Sequence, residues 1–306
     1  MQTEQIAFIT PTTAPAWQRW LVFSPVARIA TFVAMMIILS VAAHTTVGWL
    51  GWAAKSASPL HQALAKLSMQ LLPVVLAYLA LVKLVERRRI TELSPRTLPA
   101  LGVLGLVIGA GLISFVIGVL WLAGSYHVVG TNPGVDWLPA VLVVGVGASI
   151  GEEIITRGVL FRIIEEGLGT WWALAISAVF FGAAHIFNPG ATLWSSAAIA
   201  IEAGILLALL YHVTRSLWAC IGMHAAWNIL QGTLYGVAVS GTHADGLLVS
   251  TLTGPDWLSG GAFGAEASVV ALLTCSTASA VLLVITLRRD SIVPPAWRRK
   301  AKAATS

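Results

Sequence analysis

Uninterrupted apolar stretches of bilayer length recur along the whole chain. The cleanest are LGVLGLVIGAGLISFVIGVLWLAG, beginning at Leu101, and VVALLTCSTASAVLLVITL, beginning at Val269. About 20 apolar residues carry a helix across a hydrocarbon core of about 30 Å. The sequence therefore predicts an all-α, polytopic membrane protein of about eight transmembrane helices. They are expected over roughly 29–50, 62–83, 99–123, 138–160, 171–188, 192–211, 216–237 and 266–287, with a kink at Pro73 in the second. Only 10% of the residues are charged, against about 25% in a soluble domain.

The formal net charge of +5 raises the question of nucleic acid, but the basic residues sit at segment ends, where they orient helices. If both termini are cytoplasmic, only Lys55 and Lys66 of the eighteen Lys and Arg fall on the outer side. The loops GSYHVVGTNPGVDW and AVSGTHADGLLVSTLTGPDWLSGGAFGA hold none. The expected setting is thus the cytoplasmic membrane, with an inner surface suited to anionic headgroups. No nucleic-acid partner is expected. Residues 1–28 read as a cytoplasmic tail without a cleaved signal peptide, ending in an interfacial patch from Trp17 to Trp20. Cys220 and Cys275 lie in apolar runs and predict no disulfide. Glu165 and Glu166 read as a solvated inner loop. His44, His127, His212 and His243 read as interfacial or loop residues.

Ionisable groups inside a span are costly and face the bundle interior or a wet cavity. Here they concentrate between 138 and 237: Glu152, Glu153, Arg157, His185, Glu202 and His224, with the amide of Asn228. In GEEIITRG, Glu153 and Arg157 are four apart and share a helix face, which predicts a positioning ion pair. Glu152 is rotated by about 100° and is left for chemistry. FFGAAH places Phe181 and His185 on one face, and MHAAWN does the same for His224 and Asn228. Such a set predicts a polar cavity within the bundle. Two imidazoles and a carboxylate suit zinc or another divalent metal, with His185 and His224 as candidate ligands. The same set can work without metal. Glu152 would then take a proton from water oriented by His185, while His224 and Asn228 stabilise an oxyanion. Glu202 would line the cavity, pair with Arg215 or His212, or face a wet groove.

EExxxR, FxxxH and HxxxN, in that order and each inside an apolar span, resemble the CAAX protease and bacteriocin-processing family of intramembrane proteases. That family is also called Abi and includes the Rce1-type prenyl endopeptidases. The likeness spans roughly 138–237. It implies a helical membrane fold and peptide-bond hydrolysis on a membrane-associated peptide or protein. By position it makes Glu152 the catalytic glutamate and Glu153 its neighbour paired with Arg157. His185, His224 and Asn228 complete the active site, and Phe181 gives structural support. The resemblance leaves both the metalloprotease and the metal-free model open. Thr156 stands where the family often has Phe, and Ile201–Glu202 where it usually has an aromatic before the glycine. A substrate would enter from the lipid or the cytoplasm, through a gap between helices.

The expected organisation is a tail (1–28), helices one to three (29–137), a catalytic core (138–237), a Gly-rich mobile outer loop (238–265), and a last helix with a basic cytoplasmic tail (266–306). The alternatives are a non-catalytic scaffold or bacteriocin-immunity protein of the same fold, and a transporter or proton channel. A transporter predicts pseudo-symmetry or broken helices in both halves, which the sequence does not show. One difficulty remains in the expected boundaries. They put Glu152 about 13 Å and His185 about 21 Å from the inner ends of their helices, although the two should be level. Shifted boundaries, tilt or a broken helix would each account for it.

Overall fold

The computed structural model describes residues 6–299. The outermost parts of both expected tails, including Lys300 and Lys302, lie outside the described residues. Among the described residues, seven helices are long and apolar enough to cross a membrane. In chain order, α1 is Pro25–Trp49, α2 Pro59–Val85, α3 Leu98–Leu122, α4 Trp137–Leu168, α5 Thr170–Phe187 and α6 Leu193–Thr214. Next comes α7, Leu217–Ile229, continued by a wider turn over Leu230–Leu234, and then α8, Val269–Arg288. The expected span 216–237 is thus α7. It falls outside the membrane-length set because His224, Asn228 and Gln231 lower its hydropathy. Two short strands, β1 (Tyr126–Thr131) and β2 (Leu248–Leu252), pair antiparallel across the loop end of the bundle.

Local sequence explains several helix starts. Ser24 and Ser58 accept hydrogen bonds from backbone N–H groups of the first turns of α1 and α2, each with Pro at the first position. Thr192 and Ser195 cap α6 reciprocally, and Ser268 caps α8. These side chains satisfy amides that a helix start leaves unpaired. Pro73 sits inside α2 without ending it. Ile38, Val41, Leu72, Val107 and Leu287 are exposed on the flanks of the bundle, as a lipid-facing surface requires.

Two close backbone approaches set the interior. A Cβ on Gly105 would lie 2.1 Å from the carbonyl oxygen of Ala219, and one on Gly109 2.1 Å from that of Met223. Only glycine lets α3 lie this near α7, the small-residue packing typical of membrane helices. This contact fixes the depth of His224, one residue beyond Met223.

The arginine-rich end differs from expectation. Glu165 and Glu166 are buried rather than in a solvated loop, because α4 continues to Leu168. Arg28 pairs with Glu86 at 2.8 Å and Glu166 at 2.7 Å, and Arg162 pairs with the same two carboxylates at 2.9 and 3.0 Å. His212, expected at an interface, is also buried and meets Glu165 at 2.8 Å. Arg215 pairs with the same carboxylate. Four helices are thereby tied together at one end. Cys220 and Cys275 are buried free thiols.

The longer α4 also resolves the depth difficulty. Measured from Leu168, Glu152 lies about 24 Å along its helix, and His185 lies about 22 Å from Thr170. The expected end at 160 was eight residues short.

Candidate active site

Glu152 and Glu153 end a short regular stretch, Ala148–Glu153, flanked in α4 by wider π-type turns over Ala140–Gly147 and Ile154–Phe161. Such turns shift the side-chain register and recur at functional sites. Here the two neighbouring carboxylates face different partners.

Glu153 is fully enclosed. Its Oε1 accepts from Arg157 Nη1 at 2.9 Å and from His224 Nδ1 at 3.0 Å. The expected ion pair is present, with an imidazole added to it. Arg157 also donates to the carbonyl oxygens of Ala203 at 2.9 Å and Gly204 at 3.2 Å, and to Thr156 Oγ1 at 2.8 Å. Its guanidinium lies 4.7 Å from the centre of the Phe181 ring. Arg157 therefore joins α4 to α6 and α5. Thr156, the departure at that motif, belongs to this clamp and also donates to the Glu152 carbonyl at 2.5 Å.

Glu152 points the other way, with its side chain 36% exposed. Its Oε2 is 4.0 Å from His185 Nε2 and 3.9 Å from His224 Nε2. The other nitrogen of each ring is occupied. His185 Nδ1 donates to the Phe181 carbonyl at 2.7 Å. His224 Nδ1 donates to the Glu153 carboxylate. Both acceptors can only receive, so with neutral rings each Nδ1 carries the proton and each Nε2 presents a lone pair. Three acceptor atoms thus converge at separations too long for direct hydrogen bonds, and Glu152 Oε2 has no hydrogen-bond partner. A species that donates protons or carries positive charge fits between them.

Water meets that description, and so by donor chemistry does a divalent metal, which His185, His224 and Glu152 would hold. Among the described residues, however, no three His, Cys, Asp or Glu side chains stand at ligand spacing. The two measured separations exceed the roughly 3.3 Å between neighbouring ligands of a tetrahedral zinc. When bound, the metal would act as a Lewis acid toward a carbonyl.

Asn228 lies one turn beyond His224 and donates to the Val144 carbonyl at 3.2 Å. It lines the same pocket as His185 and His224, and it also lines a larger, more polar cavity edged by Lys66, Asn132, Asp136, His243 and Asp245. The amide is therefore shared between the inner pocket and this larger vestibule toward the loop end.

The sequence reading missed two features. Thr156 stood out only as a departure, and its hydroxyl has a use only once Arg157 is seen to need a further acceptor. Glu266 was not singled out, yet it is buried and lines the pocket. Its signal was a lone acidic residue in the apolar run AFGAEASVV. Nor is the loop read as mobile open in form. Phe263, Ala265 and Ala267 are buried, and Ser240 donates to Glu266 through its backbone N–H at 2.5 Å and its hydroxyl at 3.0 Å. Glu202 lines the pocket, as one of its expected alternatives held. It does not pair with His212 or Arg215, which lie about 15 and 20 Å further along α6 and meet Glu165.

A family model described as type II CAAX prenyl endopeptidase Rce1-like matches residues 134–230. No curated protein and no solved structure matches. The matched region contains Glu152, Glu153, Arg157, Phe181, His185, His224 and Asn228. Residues 134–230 of this multi-pass membrane protein are thus similar to the Rce1-like prenyl endopeptidases.

Proposed function

We propose that the protein is an intramembrane endopeptidase that hydrolyses a peptide bond in a membrane-associated peptide or protein. The convergence of Glu152 Oε2 with His185 Nε2 and His224 Nε2 carries this reading. A water between these groups can donate one hydrogen to Glu152 Oε2 and the other to one imidazole Nε2, and direct its own lone pair at a carbonyl. Glu152, the accessible carboxylate, takes the proton and returns it to the leaving amine. The other imidazole, when it has taken a proton from solvent, donates to the tetrahedral oxyanion, and the second amide hydrogen of Asn228 serves the same end. Glu153 is engaged by Arg157 and His224, so it holds the His224 ring rather than acting as base.

The protein lies in the cytoplasmic membrane with its arginine-rich end toward the cytoplasm, which the distribution of Lys and Arg supports. Its partners are the substrate and the bilayer. The test is cleavage of a pool of membrane-associated and lipidated peptides by detergent-purified protein, comparing wild type with Glu152→Ala. Turnover by wild type that the variant loses supports the reading. Equal turnover by both, or none by either, returns the chain to the scaffold class.

A further inference from the structure

The pocket lined by His185 and His224 also holds two acids that the hydrolytic scheme does not use. Glu202 of α6 and Glu266, just before α8, both line that pocket and are both almost wholly buried. Each lies within the electrostatic field of the other. The same pocket is lined by His185 and His224, which puts the two acids beside the reacting groups. Glu266 is held in place by the backbone N–H and hydroxyl of Ser240, and Asn188 donates to the Ser240 carbonyl at 2.9 Å. Glu202 has no such support, and its Oε2 is buried without a hydrogen-bond partner. Among the described residues neither acid has an ion-pair partner, whereas every other buried glutamate there has an arginine.

Two buried carboxylates without a cation are costly. Elsewhere the chain meets that cost with Arg28, Arg88, Arg157, Arg162 and Arg215, so its absence here is local. The pocket wall around the pair is apolar, formed in part by Ile199, Leu206, Leu207 and Met223. Apolar walls together with two carboxylates match the aliphatic stem and charged head of a basic side chain.

We propose that Glu202 and Glu266 form a specificity subsite for a basic side chain, lysine or arginine, close to the scissile bond of the substrate. This rests on the endopeptidase reading for its role in selection, but not for the binding itself. A substrate cation completes the pair, and a neutral chain of equal length leaves both acids buried and unpaired. Discrimination follows from that penalty more than from the attraction of the new ion pair.

Two measurements test this independently. In the first, wild-type protein cleaves matched peptides that differ only in lysine against norleucine beside the scissile bond. The lysine peptide is expected to have kcat/KM roughly 10–100-fold higher, and Glu202→Gln is expected to bring the ratio near one. A ratio near one in wild type overturns the proposal. The second measurement uses the Glu152→Ala protein, which needs no turnover, and follows thermal unfolding with n-butylammonium or its neutral twin n-butanol. The ammonium ion alone is expected to raise Tm, by about 2–4 °C near tenfold saturation. Adding Glu202→Gln is expected to remove the shift. Equal effects of the two ligands overturn the subsite even if the protein proves to be a protease. An ammonium-specific shift without any peptide cleavage upholds the subsite while the endopeptidase reading fails.

Discussion

His224 Nδ1 lies 3.0 Å from Glu153 Oε1, the same oxygen that receives Arg157 Nη1 at 2.9 Å. One carboxylate oxygen thus fixes both the charge balance of the clamp and the tautomer of the imidazole. Glu153→Gln keeps the shape and one acceptor oxygen but removes the charge. The amide can also present its NH2 to the ring and favour the wrong tautomer. The expected result is a fall in kcat of roughly 10²-fold with KM little changed. Activity within threefold of wild type would show that the ring orientation is set elsewhere.

Glu152 is expected to behave differently, since it touches the water rather than its holder. Glu152→Gln should lower kcat by about 10³-fold without loss of thermal stability, because no buried cation depends on it. The same assay separates the two chemistries left open by the sequence. If His185, His224 and Glu152 hold a divalent metal, elemental analysis finds about one equivalent, and a strong chelator removes both metal and activity. If they hold water alone, wild-type protein cleaves after chelation and contains no stoichiometric metal.

Much of this site was legible because its chemistry is written at helical spacing. Glu153 and Arg157, Phe181 and His185, and His224 and Asn228 are each four apart, so each pair had to share a face. What was not legible depended on helix ends and on contacts between distant segments. Glu165 and Glu166 looked like a loop because their charge ends the apolar run. The charge is instead neutralised inside the bundle by Arg28, Arg162 and Arg215, and the helix runs on. His212 was misjudged for the same reason. Glu266 gave almost no signal, since its role comes from a loop folding back over Ser240.

Glu92, outside the spans at the arginine-rich end, ties stability to pH. Burial alone would push its carboxyl up, but the Arg88 hydrogen bonds and charge outweigh this, with Arg162 and Tyr78 adding to them, and hold it at about 2. An exposed glutamate titrates near 4.3. Because the folded value is the lower one, the stabilisation is fully present above about pH 4.3 and is lost as pH falls toward 2. The contribution is on the order of 2–3 kcal/mol. Unfolding midpoints measured from pH 6 to pH 2 should therefore drop steeply in that window for wild type and less for Glu92→Gln. Parallel curves for the two proteins would place the acid sensitivity elsewhere.

The α3–α7 contact predicts a functional effect from a residue that touches no chemistry. Gly109→Ala places a methyl 2.1 Å from the Met223 carbonyl oxygen, so α7 must move and His224 with it. The expected cost is about 1–3 kcal/mol of stability, together with a loss of turnover larger than that cost explains. Gly111→Ala is the matched control, because a Cβ there meets nothing within 4 Å. Equal behaviour of the two variants would mean that α7 is positioned by other contacts.

The vestibule that shares Asn228 with the inner pocket opens among Asn132, His243 and Asp245, at the end of the bundle opposite Arg88 and Arg162. If the arginine-rich end is cytoplasmic, the orientation that the positive-inside rule expects, that opening faces away from the cytoplasm. Entry by this route then differs from the lipid or cytoplasmic approach that the sequence led one to expect. Single cysteines test it in intact cells, where Cys220 and Cys275 are buried. A membrane-impermeant maleimide should label Asp245→Cys and leave Arg96→Cys untouched. A bulky maleimide at Asp245→Cys should also slow cleavage of a long peptide more than that of a short one. Labelling of Arg96→Cys instead of Asp245→Cys would invert the protein in the membrane and turn the vestibule toward the cytoplasm. Unchanged cleavage after complete modification of Asp245→Cys would leave substrate entry to a gap between helices.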